Sequence, residues 1–193
     1  TFYGCESLSS LDLSNWNTSS LIHFNCTFSL CKSLTSLDLS HFNTSSVENM
    51  YFLFQNCSSL ESLDLSNFDT SSVTEMRAMF RYCDKLKYLN ISNFNTSKIT
   101  RMSDMFRGCN SLTSLDLSSF NTSSVEYFGL MFYDCFSLES LDLSNFDTSS
   151  ATQMLYMFNG CKNLKYLNIS NFNTSLVNNM SNMFSNCDSL LSL

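Results

Sequence analysis

Proline is absent from the 193 residues, and glycine occurs only four times. Turns must therefore rest on Asn, Asp, Ser and Thr, whose side chains bond nearby backbone groups. Histidine is almost as scarce, with His23 and His41 at non-equivalent places. A general base or catalytic dyad needs a unique cluster of titratable groups, so this scarcity argues against an enzyme and for solvated or turn histidines. Ten basic residues face 17 acidic ones, a formal net charge of −7 that leaves no electrostatic footprint for nucleic acid or an anionic membrane. No apolar run approaches the ~18 residues of a membrane-spanning helix. No charge run or Gly/Ser linker marks a domain boundary, and 44% hydrophobic residues can fill a substantial core.

What the chain has in abundance is repetition. Cys5, Cys31, Cys57, Cys83, Cys109, Cys135, Cys161 and Cys187 open copies of one sentence at intervals of 26 residues, with nothing inserted or lost. The copy from Cys57 to Tyr82 reads CSSLESLDLSNFDTSSVTEMRAMFRY. A fixed period of this length signals a solenoid. Apolar columns recur from Leu8 to Leu190, from Leu11 to Leu193 and from Leu13 to Ile169, followed by an aromatic column from Trp16 to Phe172. A last apolar set recurs at spacings of three and four, such as Val73, Met76, Met79 and Phe80. These columns are the expected core.

The spacing assigns a local structure to each half. Leu63 and Leu65 alternate with Ser62, Asp64 and Ser66, the period of a strand with one buried face. SSVTEMRAMF has a period nearer three and four, which predicts a helical turn or two, with Thr70 and Ser71 as N-caps. Ser45 with Glu48 and Ser123 with Glu126 add capping boxes in some copies. Stacking such units about 4.8 Å apart predicts an α/β solenoid of about seven coils, a parallel sheet on one face and short helices on the other.

The pattern L-x-x-L-x-L followed by an aromatic position resembles the leucine-rich repeat. More specifically, CxSLxSLDLSNFxTSSVxxMxxMF resembles the 26-residue repeat of the BspA-like leucine-rich-repeat surface proteins of bacteria, mycoplasmas and protists. The resemblance covers essentially the whole chain, and LDLSNFDTSS followed by M-x-x-M-F carries its specificity. Trp16, Phe24, Cys26 and Thr27 in the first copy depart mildly from it. It implies an extracellular or cell-surface repeat protein.

Residues 1–193 read as a single solenoid domain and as a segment of a longer array. The opening TFYGC matches the helix end of an earlier copy, and CDSLLSL stops in mid-strand. Uncapped ends would expose core and strand edges, a template for end-to-end self-association. Above the short period sits a longer one. ESLDLSNFDTSS recurs at residues 61–72 and 139–150, and LKYLNISNFNTS at 86–97 and 164–175, both three copies apart. Duplication of a three-repeat block explains this, and lateral assembly of a fibre would also use it.

Three ladders are candidates for chemistry or recognition. The cysteine column stacks thiols at coil spacing, where in-register Cβ atoms about 4.8 Å apart exceed the ~3.8 Å a disulfide prefers, so a buried ladder of free thiols is expected. Cys26, out of register, is the thiol most open to exposure or to pairing with Cys31. No C-x-x-C pair and no neighbouring histidine indicate zinc, and no cofactor is expected. On the outward strand face, Asp12, Asp38, Asp64, Asp116 and Asp142 share a column with Asn90 and Asn168, flanked by Tyr88 and Tyr166. This concave face is the expected docking place for a protein or glycan partner. Calcium between stacked aspartates is a weaker reading than a hydrated acidic face, because hard-cation sites gather six or more oxygens. Finally, N-x-S/T sequons occur at Asn17, Asn25, Asn43, Asn56, Asn90, Asn95, Asn121, Asn168, Asn173 and Asn179. Asp69 and Asp147 stand in the NTS column, so turn chemistry explains it without sugar, whereas the N-I-S sites at Asn90 and Asn168 are the favoured candidates for N-glycosylation.

Two classes of function follow. The first is a non-enzymatic structural or adhesive surface protein, with fibril assembly as one form. The second is a recognition module that binds one partner on the concave face. Ice binding by the column from Thr18 to Thr174 is weaker still, since those threonines have a capping role.

Overall fold

The computed structural model describes residues 2–193, so Thr1 of the expected opening lies outside it. The chain winds as a parallel repeat solenoid. In the strand half, Leu63 is buried between exposed Ser62 and Asp64, as the alternation predicts. β1 (Ser62–Asp64) pairs in parallel with β2 (Tyr88–Asn90), Leu63 opposite Leu89. β3 (Ser140–Asp142) pairs likewise with β4 (Tyr166–Asn168). The two pairs are separate two-stranded sheets, one three-coil block apart. Both put Asn opposite Asp, Asp64 with Asn90 and Asp142 with Asn168. Aspartates opposite each other would repel, and no strand forms between such coils among the described residues. The step from Asn90 to Asp116 is unpaired too, so charge relief alone does not set the pairing.

The other half corrects the expectation of short helices: no helix forms there. Met50, Phe52, Phe54 and Asn56 donate their N–H groups to the carbonyls of Glu75, Arg77, Met79 and Arg81 one coil on, at 2.7 to 3.0 Å. The residues between them turn back instead, Leu53 onto Met50, Gln55 onto Phe52 and Cys57 onto Phe54. Half the donors therefore close tight turns and half join coils. Turns of this kind need positive φ, found at Phe52 (55°) and Asn56 (57°) and again at Ala78, Tyr82, Asp104 and Gly108. Parallel bridges His23–Asn49–Glu75 and Arg101–Tyr127–Gln153–Asn179 mark the same face. The physical reason is room. A helix about 10 Å wide does not fit a flat stack whose coils repeat at about 4.8 Å, and consecutive turns bury apolar residues at the same three- and four-residue spacing.

Buried ladders run the length of the stack. Phe2, Phe28, Phe54, Phe80, Phe106, Phe132, Phe158 and Phe184 stack ring on ring, with centroids 5.5 to 5.8 Å apart. Beside them every cysteine is a free thiol, six of them buried, and Cys26 makes no bridge with Cys31. The thiols act as more than small hydrophobes. Cys83 Sγ donates to the Phe54 carbonyl (3.1 Å), which also accepts the Cys57 N–H (3.1 Å), so the thiol fills the second lone pair of a buried acceptor. The same bond recurs at Cys57, Cys109, Cys135 and Cys161. Burial pushes the Cys83, Cys109 and Cys161 thiols well up and Cys135 to about 12, so they resist becoming nucleophiles.

The threonines are neither helix caps nor an exposed array. Thr70 Oγ1 accepts the Asn95 N–H (2.8 Å) and donates to the Asn95 carbonyl (3.0 Å), and Thr96 does the same to Asn121. Thr44, Thr70, Thr96, Thr122 and Thr148 are all buried, which removes the surface an ice-binding ladder requires.

Candidate functional site

The strand face is built from Asx turns. Asp64 Oδ1 accepts the Ser66 N–H at 2.9 Å, and Asp12, Asp38, Asp116 and Asp142 accept from Ser14, Ser40, Ser118 and Ser144 at the same distance. Asn90 and Asn168 hold Ser92 and Ser170 at 3.2 Å. Those backbone N–H bonds hold the five carboxyls below their ordinary range, so the face stays charged in mild acid. The column is exposed except at half-buried Asn90. Tyr88 and Tyr166 stand out from it, 55% and 58% exposed. Lys87 Nζ meets Glu61 Oε2 at 3.1 Å beside β2, and Lys165 meets Glu139 at 3.3 Å beside β4.

Shallow hollows gather some of these residues. One of about 380 Å³ brings Asp142, Tyr166 and Asn168 together with Ser140 and Ser192. Another of about 420 Å³ joins Asp38 and Asp64 through Ser36, Ser62 and Asn67. Asp116 and Asp142 share a third with Asn145. The face thus offers carboxylates, hydroxyls and a tyrosine ring to a polar partner. Among the described residues no group of three or more His, Cys, Asp or Glu gathers as a metal site. His41 Nε2 sits 2.9 Å from the Leu13 carbonyl, in the column where Asn67 and Asn145 donate to the preceding coil.

The sequons fall into distinct settings. Asn17, Asn43, Asn95, Asn121 and Asn173 are exposed, and each Oδ1 accepts the N–H of the serine two residues on. Asn168 is exposed, whereas Asn25, Asn56 and Asn179 are half-buried on the turn side. One feature escaped the sequence reading. All four arginines, Arg77, Arg81, Arg101 and Arg107, lie within one stretch of an otherwise acidic chain, and the turn side sets Arg77 over Phe52 and the other three over Tyr82, Tyr127 and Tyr133. Their positions in the linear sequence were the available signal.

Fold and face together define a parallel repeat solenoid whose coils present one polar surface many times over. The chain belongs to the family described as "Mycoplasma protein of unknown function, DUF285", whose model matches residues 1–63, 53–165 and 136–192. That match agrees with the surface-protein repeat that the sequence resembles, because it tiles the array nearly end to end. No curated protein sequence matches the chain. Similar solved structures include a leucine-rich cell surface protein from Faecalibacterium prausnitzii, at 19% identity and a TM-score of 0.42, covering 77% of this chain and 47% of that one. A leucine-rich repeat protein of T. pallidum matches at 19% identity and 0.39, covering 75% and 72%. One from Bacteroides ovatus matches at 19% and 0.35, covering 96% and 72%. The chain therefore spans about half the length of the Faecalibacterium protein. Among the described residues no helix is long and apolar enough to cross a membrane.

Proposed function

We propose that this chain is a non-enzymatic repeat scaffold on the cell surface or outside the cell, with a structural or adhesive role. The observation that carries the reading is the unbroken register of the phenylalanine, cysteine and threonine ladders. A stack whose every coil repeats the same joints is suited to extension, whereas catalysis needs one place unlike the others. In this reading residues 1–193 are one solenoid domain within a longer array, and copies associate end to end. Electron microscopy of the protein as isolated from its source tests it. Fibres with a rise that is a multiple of the coil spacing, about 4.8 Å, are expected. Single unassembled particles at all concentrations would contradict assembly.

A second reading has its own observation, the two exposed tyrosines that break the serine column at a three-coil interval. Tyr166 with Asp142 and Asn168 would then dock a protein or glycan partner on the strand face. Pull-down from the organism's surroundings with wild-type protein and Tyr166→Ser tests it, and equal capture by both would sink this reading. N-glycosylation at Asn90 and Asn168 belongs to the surface proposal. Mass spectrometry of native material should find sugar on their peptides, and unmodified peptides alone would remove it.

A further inference from the structure

We propose that the turn side carries a binding site for an acidic sugar unit, made by Arg77, Arg101 and Tyr127 around a notch in the stack. It goes beyond the scaffold role and does not depend on assembly. Seven of the ten basic residues lie between Arg77 and Arg107, with only Asp84 and Asp104 as acids among them. The surface is therefore not uniform there.

The notch follows from one column of side chains. At successive coils that column reads Tyr51, Arg77, Ser103, Gly129 and Leu155, so two small residues lie between two large ones. A Cβ on Gly129 would stand 2.7 Å from Leu155 Cδ2, which shows how closely the far wall leans in. The opening holds about 400 Å³ and is lined by Arg77, Arg101, Asp104, Tyr127, Gln153 and Leu155, among others, with the Asp104 carboxylate held by Arg107 at 3.0 Å. Two coils span roughly 10 Å, the width of one or two sugar rings rather than of an extended peptide of several residues. The volume lies near the lower end of small-ligand sites, about 300–1,000 Å³.

The charges at the notch are available. Arg107 and Arg81 are occupied by Asp104, at 3.0 and 3.9 Å. Among the described residues Arg77 and Arg101 have no carboxylate at ion-pair distance. They lie on aromatic faces instead, Arg77 over Phe52 at 5.1 Å and Arg101 over Tyr127 at 4.6 Å. A guanidinium stacked in this way keeps its in-plane N–H edge for a carboxylate or sulfate, which it can grip with two parallel bonds. Arg77 Nε is buried and lacks any hydrogen-bond partner. The nearby carboxylate of Glu75 accepts the backbone N–H of Arg77 (3.0 Å). Gln153, Ser103 and the tyrosine hydroxyl suit the hydroxyls of a sugar, and Leu130 and Leu155 suit its C–H face.

Titration calorimetry with four probes tests the site: 3′-sialyllactose for a carboxylated sugar, a sulfated heparin disaccharide, neutral lactose and a pentaglutamate peptide. At least one of the two acidic sugars should bind, with lactose about tenfold weaker or more. Arg77→Gln and Arg101→Gln should each weaken binding by about tenfold or more, and Ser103→Leu, which fills the notch, should abolish it. Lys162→Gln, over Phe136 and outside the notch, should leave binding unchanged. Thermal melts of each variant separate lost binding from lost folding, and Arg101, being exposed, is the variant expected to fold as wild type. No binding by either acidic sugar, equal binding of lactose, tighter binding of the peptide, or indifference to Arg101→Gln in a folded protein would each overturn the proposal. None of these results bears on the fibres sought by microscopy, so the two proposals fail separately.

Discussion

On the turn side, Phe54 donates to Met79, Phe80 to Met105, Phe106 to Met131 and Phe132 to Met157 without a break. On the strand side, ladder pairing joins β1 to β2 and β3 to β4, with one further bridge from Tyr166 to Ser192. Both sides share the same coil period, yet only one is stitched at every step. The stitched side lies over the phenylalanine and thiol ladders, where an unpaired backbone group would be cut off from water and costly. The strand side faces solvent, so a missing bond there can be replaced by water. Sequence variation follows the same division. Tyr replaces Ser, Lys replaces Glu and Asn replaces Asp on the open face, while the Phe54, Cys57 and Leu60 columns hold one residue throughout.

The largest effects should therefore come from the buried ladders. Phe106→Ala, in the middle of the ring stack and fully buried, should destabilise by about 3–5 kcal/mol in chemical denaturation. A loss below 1 kcal/mol would mean that the rings are not the core of the stack. Thr96→Val keeps the shape but strips both bonds to Asn121, at an expected cost of about 1–3 kcal/mol. If Thr96→Val is as stable as wild type, the threonines do not join coils.

The thiols make the comparison sensitive to pH. In the folded stack Cys135 ionises only at about 12, whereas an unfolded thiol ionises near 8.5. Protons are then held more tightly by the folded state, so the contribution is intact below about pH 8.5 and shrinks as pH rises toward 12. Melting temperature should fall across that window, and the fall should be shallower in Cys135→Ala. Thiol reagents should label exposed Cys5 first and leave the six buried cysteines until unfolding. The smallest effect belongs to the strand face. A double-mutant cycle on exposed Lys87 and Glu61 should give only about 0.2–1 kcal/mol, and a larger coupling would bring the two sides closer to equal.

Much of this was legible from residue columns. The period, the buried leucines, the alternation around Leu63 and the free thiols all follow from side chains repeated in register. Two matters were not. Val73, Met76, Met79 and Phe80 satisfy a helix and a run of turns equally well, since both bring such residues to one face. What separates them is the column Gly4, Leu30, Asn56, Tyr82, Gly108, Asp134, Gly160 and Asn186, where six of the eight residues are Gly, Asn or Asp, types that tolerate positive φ. The second was the arginine cluster, which disappears when charge is summed over the whole chain. Ladders are properties of the average coil, and a binding site is a departure from it.

Site-resolved amide hydrogen exchange tests the central claim most directly, that the coils are held together on the turn side by turns and inter-coil bonds. The N–H groups of Phe54, Phe80, Phe106 and Phe132 should exchange only with global unfolding, while their turn-closing neighbours and the strand-face amides of coils outside β1–β4 exchange sooner. Uniform protection along Val73 to Phe80, with the circular dichroism of a helix, would contradict it.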